Sequence, residues 1–348
     1  MSHTELTNST PYACELLFLL DEMGMPVCVP VVQATFGLTG GQSLALLEQQ
    51  PAIDLAGRWW GDPAVSSMRL EPQIAFVKPA TDIVLLGHAY PANRERSEGM
   101  VGIRVGSVQK TARVFGNRRL ITRNGIVSTT PPEPFERIPL RYEYAFGGWD
   151  RHDENPDKHT FEARNPVGSG YRADRLEDDE ILMPNLEDPA DLYDTPSRRP
   201  APAGFGFVAP DWQPRAGFAG TYDQAWNDTR KPLLPGDFDR RFFNAASPGL
   251  IAPSYLRGDE WVTVIGASPD GRVDFQLPGM APPECRLMLN SGAPADLRMV
   301  LDTLVTDMDQ LTVTLTWRAH LTVPRGVHDV AALELPPQPP SNLDDDGE

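Results

Sequence analysis

Leu311-Thr312-Val313-Thr314-Leu315-Thr316-Trp317-Arg318 is the stretch on which the fold class turns. Four apolar side chains alternate with polar ones, the period of a strand with one buried face. Outward from it, other runs repeat the message between turn residues. Val101, Ile103 and Val105 alternate, Gly106-Ser107 turns, and Val108, Thr111, Val114 and Phe115 return. Leu120-Ile121 leads through Asn124-Gly125, a strong hairpin dipeptide, to Ile126-Val127. Shorter apolar pieces stand at 27–36, 44–47, 53–55, 83–90, 261–265, 273–277, 285–289 and 297–306. Pro30, inside the first, calls for a strand start or an edge because it lacks the N–H a ladder needs.

The centre differs in kind. Residues 131–255 are rich in Pro, Gly, Asn and Asp, with aromatics threaded throughout. Disordered linkers are depleted in aromatics, so this segment is expected to be a long ordered loop pinned by large side chains. Short helices are expected near 222–227 and 238–244. The fold class is therefore mainly β: sandwich-like antiparallel sheets, a long ordered Pro/Gly/aromatic-rich loop segment, and a few short helices. One domain is expected over 5–325, β-rich at 10–130 and 256–325 and loop-rich at 131–255. The acidic, Pro-rich 326–348 cannot build a core and is expected to be a disordered tail.

Composition narrows the function. The 348 residues include 35 Pro, a density that excludes an all-helical fold. Net charge is −17, which argues against nucleic acid and anionic membrane surfaces as partners. Lys78, Lys110, Lys158 and Lys231 are the only lysines, so nearly all the basic residues are Arg. That bias suits bidentate pairing with the many acids, but the codon usage of a GC-rich genome is the preferred explanation. Cys14, Cys28 and Cys285 form no disulfide framework. No basic residue precedes Arg58, and no apolar run approaches a membrane span, so a cytoplasmic location is expected.

Motifs for chemistry are scarce. There is no phosphate loop, no dinucleotide fingerprint and no nucleophile elbow. Gly41-Gln42-Ser43-Leu44-Ala45 comes near an elbow, but Gly40-Gly41 reads as a hairpin turn. His152 and His159 sit among Asp150, Asp153, Glu154 and Asp157, yet the spacing fits neither a zinc nor a calcium loop, and a solvated acidic loop is expected. His88 is expected to be a core histidine with a hydrogen-bond partner. No catalytic residue, metal or cofactor is expected.

Locally dense phrases stand out instead. They are Trp60-Gly61-Asp62-Pro63, Arg141-Tyr142-Glu143, Gly147-Gly148, Asn165-Pro166-Val167-Gly168, Asn185-Leu186-Glu187, Phe205 with Gly206, Trp226 and Phe242-Phe243-Asn244. Arg141 and Glu143 lie two apart, on one face if they stand in a strand. Each phrase joins turn formers to an aromatic, an amide or a charge. Such groups are expected to hold irregular backbone in one shape, and the surface so fixed is a candidate docking face. Arg141 is expected to serve the scaffold more than the interface.

These phrases, with Gln33-Ala34-Thr35-Phe36, Lys78-Pro79-Ala80-Thr81-Asp82, Gly87-His88-Ala89-Tyr90 and Tyr255-Leu256-Arg257-Gly258, resemble the bacterial domain-of-unknown-function family 2169 over about residues 5–320. Gln33 stands where that family frequently has a basic residue. The resemblance implies an adaptor or chaperone of the type VI secretion system. Such a protein would bind a toxin effector or its PAAR-type spike-tip region and load it on the spike protein. An acidic surface would suit a basic client. The alternatives are a hydrolase-like enzyme whose site is built by the central loops, perhaps with His88, or a carbohydrate-binding module.

Overall fold

The computed structural model describes residues 4–39, 43–91, 97–173 and 178–337. Its largest sheet runs Ala13–Leu20, Pro26–Thr39, Thr312–Arg318, Val300–Asp307, Asp82–Leu86. Only the last pair is parallel. A second, antiparallel sheet runs Leu186–Glu187, Val108–Phe115, Glu98–Val105, Trp261–Ile265, Arg272–Gln276. Glu5–Asn8, Val330–Leu335, Cys285–Leu289 and Pro294–Leu297 form a third. The protein is thus mainly β, as its alternating runs require.

Strands from both β-rich regions share these sheets, and one apolar core joins them. Val32, Ala34 and Phe36 meet Val313, Leu315 and Trp317 there, together with Val101, Ile103, Val262 and Leu333. Each of the buried Val, Leu, Ile and Phe side chains contributes about 1.5–3 kcal/mol.

The opposite face of the large sheet departs from the sequence reading. The threonines of 312–318 are not fully solvated: Thr316 is 1% exposed, and Thr312 and Thr314 are half-buried. They bond side chains of the neighbouring strand, Gln33 Nε2 donating to Thr316 Oγ1 (3.1 Å) and Thr35 Oγ1 meeting Thr314 Oγ1 (3.1 Å). Segments 50–78 and 205–247 cover this face, tied down by buried charge. The Lys78 ammonium donates to Asp82 (2.9 Å) and Thr303 (2.9 Å). Arg318 donates to Asp302 (2.6 Å), to the Ala75 carbonyl (2.7 Å) and to Gln73 Oε1 (2.9 Å). Arg215 pairs with Glu71 and donates to the Val208 carbonyl (2.8 Å). Alternation reveals a strand, but what lies over its polar face is decided by distant residues.

Three further expectations are corrected. Pro30 is neither at a strand start nor on an edge. It lies mid-strand opposite Leu16, and its missing N–H faces the gap where Thr312–Arg318 ends and Leu321–Thr322 begins. The chain after Arg325 is not all tail, because Val330–Leu335 is an inner strand with Val330, Leu333 and Leu335 buried. Apolar alternation there outweighs the acidic composition that follows it. Residues 338–348, and the turn expected at Gly40-Gly41, lie outside the described residues. No strand forms at 53–55, where Ile53 is instead a buried loop residue.

Across its described residues the loop segment is mostly irregular backbone interrupted by strands of two to four residues. It contains one α-helix, Gln224–Thr229, and a 3-10 turn at Arg240–Phe243. No helix among the described residues is long and apolar enough to cross a membrane.

Candidate functional site

Most of the singled-out phrases prove to be interior joints. Asn165 is fully buried, and its amide donates to the carbonyls of Tyr142 (2.7 Å) and Phe146 (3.0 Å). Gly147, Gly148 and Gly168 let backbone pass against backbone here. A Cβ on Gly147 or Gly148 would overlap the Asn165 or Gly168 carbonyl, and both glycines have positive φ (152° and 98°). Pro166 is half-buried beside them. Asn185 donates to the Phe115 carbonyl (2.9 Å). Glu187 pairs with Arg118 and accepts from the Tyr193 N–H (2.7 Å), and burial pushes its carboxyl up despite Arg118. Phe205 lies in the main core. Phe242 and Phe243 pack in an edge-on aromatic group with Phe238, and Asn244 donates to Asp82 (3.0 Å). Trp226 donates to the Leu233 carbonyl (2.9 Å) and meets the exposed Tyr222 edge-on.

Two phrases come together at the surface. The loop between Arg58–Trp59 and Met68–Leu70 carries Trp60, Gly61, Asp62 and Pro63. Asp62 shapes it, its carboxylate accepting from Ala64 N (2.9 Å) and its carbonyl from Ser66 Oγ (2.8 Å). Glu143 clamps its far end by accepting from both Ser67 N (2.7 Å) and Ser67 Oγ (2.6 Å). Arg141 lies over the Trp60 ring at 3.8 Å, and Arg69 lies 4.8 Å from the same ring. Residues 142–144 form a 3-10 turn and not a strand, so Arg141 and Glu143 reach the loop by bracketing that turn. Between them Tyr142 turns inward, 3% exposed, edge-on to Trp212.

Gly61, Asp62 and Pro63 remain exposed, and Val65 is 68% exposed. The Arg141 side chain makes no ion pair or hydrogen bond among the described residues, and Arg69 reaches Asp307 only at 3.8 Å. Most of the described arginines bond a carboxylate closely, whereas these two guanidiniums retain free donors beside an indole. Arg and Trp are the residue types that anchor interfaces. Arg69 and Val65 carried no sequence signal, since an isolated Arg in a short strand and one apolar loop residue form no pattern.

A cleft of about 420 Å³ adjoins the loop, floored by Thr35, Thr303, Thr314 and Thr316. In its wall Arg58 pairs with Asp54 (2.6 Å) and Glu71 with Arg215 behind it, while Arg69 and Asp307 also line it and approach only to 3.8 Å. The histidines lie elsewhere. His88 is half-buried and bonds Asp309 (2.8 Å). His152 bonds Asp150 (2.7 Å), and His159 bonds the Asp153 carbonyl (2.9 Å). That acidic loop is less solvated than expected, because Asp150 is buried. Burial alone would raise its carboxyl, but hydrogen bonds from His152, Ala173 N and Arg172 hold it well below the carboxylate range. Among the described residues no three His, Cys, Asp or Glu side chains are grouped to hold a metal. Ser43 stands exposed at a strand start.

The model of a family described as an uncharacterized protein conserved in bacteria (DUF2169) matches residues 23–318. No curated protein and no solved structure matches.

Proposed function

This chain belongs to the DUF2169 family of bacterial proteins, and we propose that it works as a non-catalytic adaptor. It holds a secreted toxin effector, or the effector's PAAR-type spike-tip region, and mounts it on the spike of a type VI secretion system from the cytoplasmic side. The observation that carries this reading is the contrast among the phrases. Nearly all lie inside, where they stiffen the loop segment, while Trp60-Gly61-Asp62-Pro63 stands out on a clamped loop with Val65 exposed and two under-paired arginines beside it. A rigid, pre-shaped loop loses little entropy on binding a partner. The net charge of −17 favours a basic client through steering.

Deleting the gene is expected to abolish delivery of the effector encoded beside it while other effectors reach the medium at parental levels. Undiminished delivery in the deletion strain refutes the adaptor role.

A further inference from the structure

Lys110 stands on the Val108–Phe115 strand and reaches the Ser247-Pro248 turn, far along the chain. Its ammonium donates to Ser247 Oγ (2.7 Å) and to the Pro248 carbonyl (2.8 Å). Both acceptors are neutral, and one of the three ammonium N–H groups remains. Lys78, the deeply buried lysine, has Asp82 as its counter-ion. Lys110 has no ion-pair partner among the described residues. Burial pushes its amine down to about 7, with Asp188 opposing the shift from beyond pairing reach.

A cavity of about 290 Å³ opens beside this ammonium, lined by Tyr142, Asp188, Arg164 and Gln213 among others. The Tyr142 hydroxyl has no hydrogen-bond partner although the side chain is only 3% exposed. Ser247 Oγ, already engaged by Lys110, is near it but out of bonding geometry. Arg164 is spent on Glu162 through two bonds of 2.7 Å. An apolar slot of about 200 Å³ adjoins the cavity, sharing Val208, Pro214 and Pro248 and bordered by Phe218 and Ile251.

We propose that the two hollows form a binding site for a carboxylate on a short apolar stem, the carboxylate pairing with the Lys110 ammonium beside Tyr142 and the stem filling the slot. The ammonium of this half-buried side chain is held by two neutral oxygens and lies 5.8 Å from the Phe205 ring, with Asp188 beyond pairing reach, so a ligand carboxylate supplies the counter-charge at contact through a charge-assisted hydrogen bond. Asp188 repels an anion from its own side of the cavity and so directs the carboxylate to Lys110. The same chemistry is offered by a free carboxylic acid and by the C-terminal residue of a polypeptide. The inference stands apart from the adaptor role, which does not use this cavity.

The full-length protein labelled with 13Cε-lysine has only four lysines to resolve. The signal missing from Lys110→Met is expected to titrate near neutrality. Saturating 4-methylpentanoate, or acetyl-Ala-Leu with a free C-terminus, should raise its midpoint by about one pH unit or more, equivalent to at least about tenfold tighter binding to the ammonium than to the free amine. The peptide's C-terminal amide should leave it in place. A response to the acid alone assigns a small-molecule site, and one to the peptide alone assigns a polypeptide terminus. Tyr142→Phe keeps the ring packing and the lysine signal, so it serves if Lys110→Met fails to fold. It should weaken the effective probe about fivefold. A Lys110 signal unmoved by both carboxylates at millimolar concentration, or moved equally by the amide, overturns the proposal.

Discussion

Asp82→Asn probes the tie between the large sheet and its loop cover. The Asp82 carboxylate is fully buried and accepts from Lys78 Nζ (2.9 Å), Asn244 Nδ2 (3.0 Å), Ala245 N (3.0 Å) and Ala246 N (3.2 Å). Asparagine keeps the shape but turns one acceptor into a donor facing other donors. It also leaves the Lys78 ammonium, 1% exposed, with the Thr303 hydroxyl in place of a counter-ion. Breaking a buried pair from one side costs about 3–5 kcal/mol. Spread over the unfolding entropy of 348 residues, that lowers Tm by about 4–7 °C. Urea titration should show the midpoint fall with the m-value unchanged. Removing both charges, in Lys78→Met with Asp82→Asn, should be less damaging than Asp82→Asn alone. A single variant within about 1 kcal/mol of the parent, or a double variant as bad as the two singles added, refutes this reasoning.

Gly168→Ala should destabilise by about 1–3 kcal/mol or more, because its Cβ would sit within 2.5 Å of the Ala145 carbonyl oxygen and 2.8 Å of Gly147 Cα; differential scanning fluorimetry reads the loss. Burial pushes the thiols of Cys14, Cys28 and Cys285 up to about 12, so at pH 8 all three should resist a thiol-reactive disulfide reagent until guanidinium unfolds the chain. Rapid native labelling would contradict that burial. Arg141→Ala should cost less than about 1 kcal/mol in stability, since its cation–π contact with the half-exposed Trp60 is its side chain's one polar interaction among the described residues. Its effect should fall on partner binding, contrary to the scaffold role expected from sequence, and a Tm drop with binding intact would restore that role.

The parts of the fold legible in the sequence are those written locally. The hairpin of Glu98–Val105 with Val108–Phe115 and the one of Arg119–Arg123 with Ile126–Thr129 follow from period and turn chemistry, the second closing through Asn124 and Gly125 at positive φ (50° and 74°). Thr312–Arg318 was legible as a strand, but its covered polar face was not. The groups that cover it come from segments up to 245 residues away, as in the Arg318–Gln73 bond. The same holds for the candidate sites. Trp60 and Arg141 stood out as phrases, yet only folding reveals that one stacks on the other. Lys110 stood out in nothing, because its surroundings are supplied by Tyr142, Asp188 and Ser247 from elsewhere in the chain.

The central claim is that a stiff loop scaffold presents Trp60–Val65 and Arg141 to another polypeptide. Co-expressing the chain with each protein encoded by the neighbouring genes, then measuring complex mass by light scattering, tests that claim directly. The account predicts a stable complex of defined stoichiometry that is lost in Val65→Asp and Arg141→Ala while both variants keep the parental Tm. No complex with any of those proteins, or one indifferent to both substitutions, contradicts it.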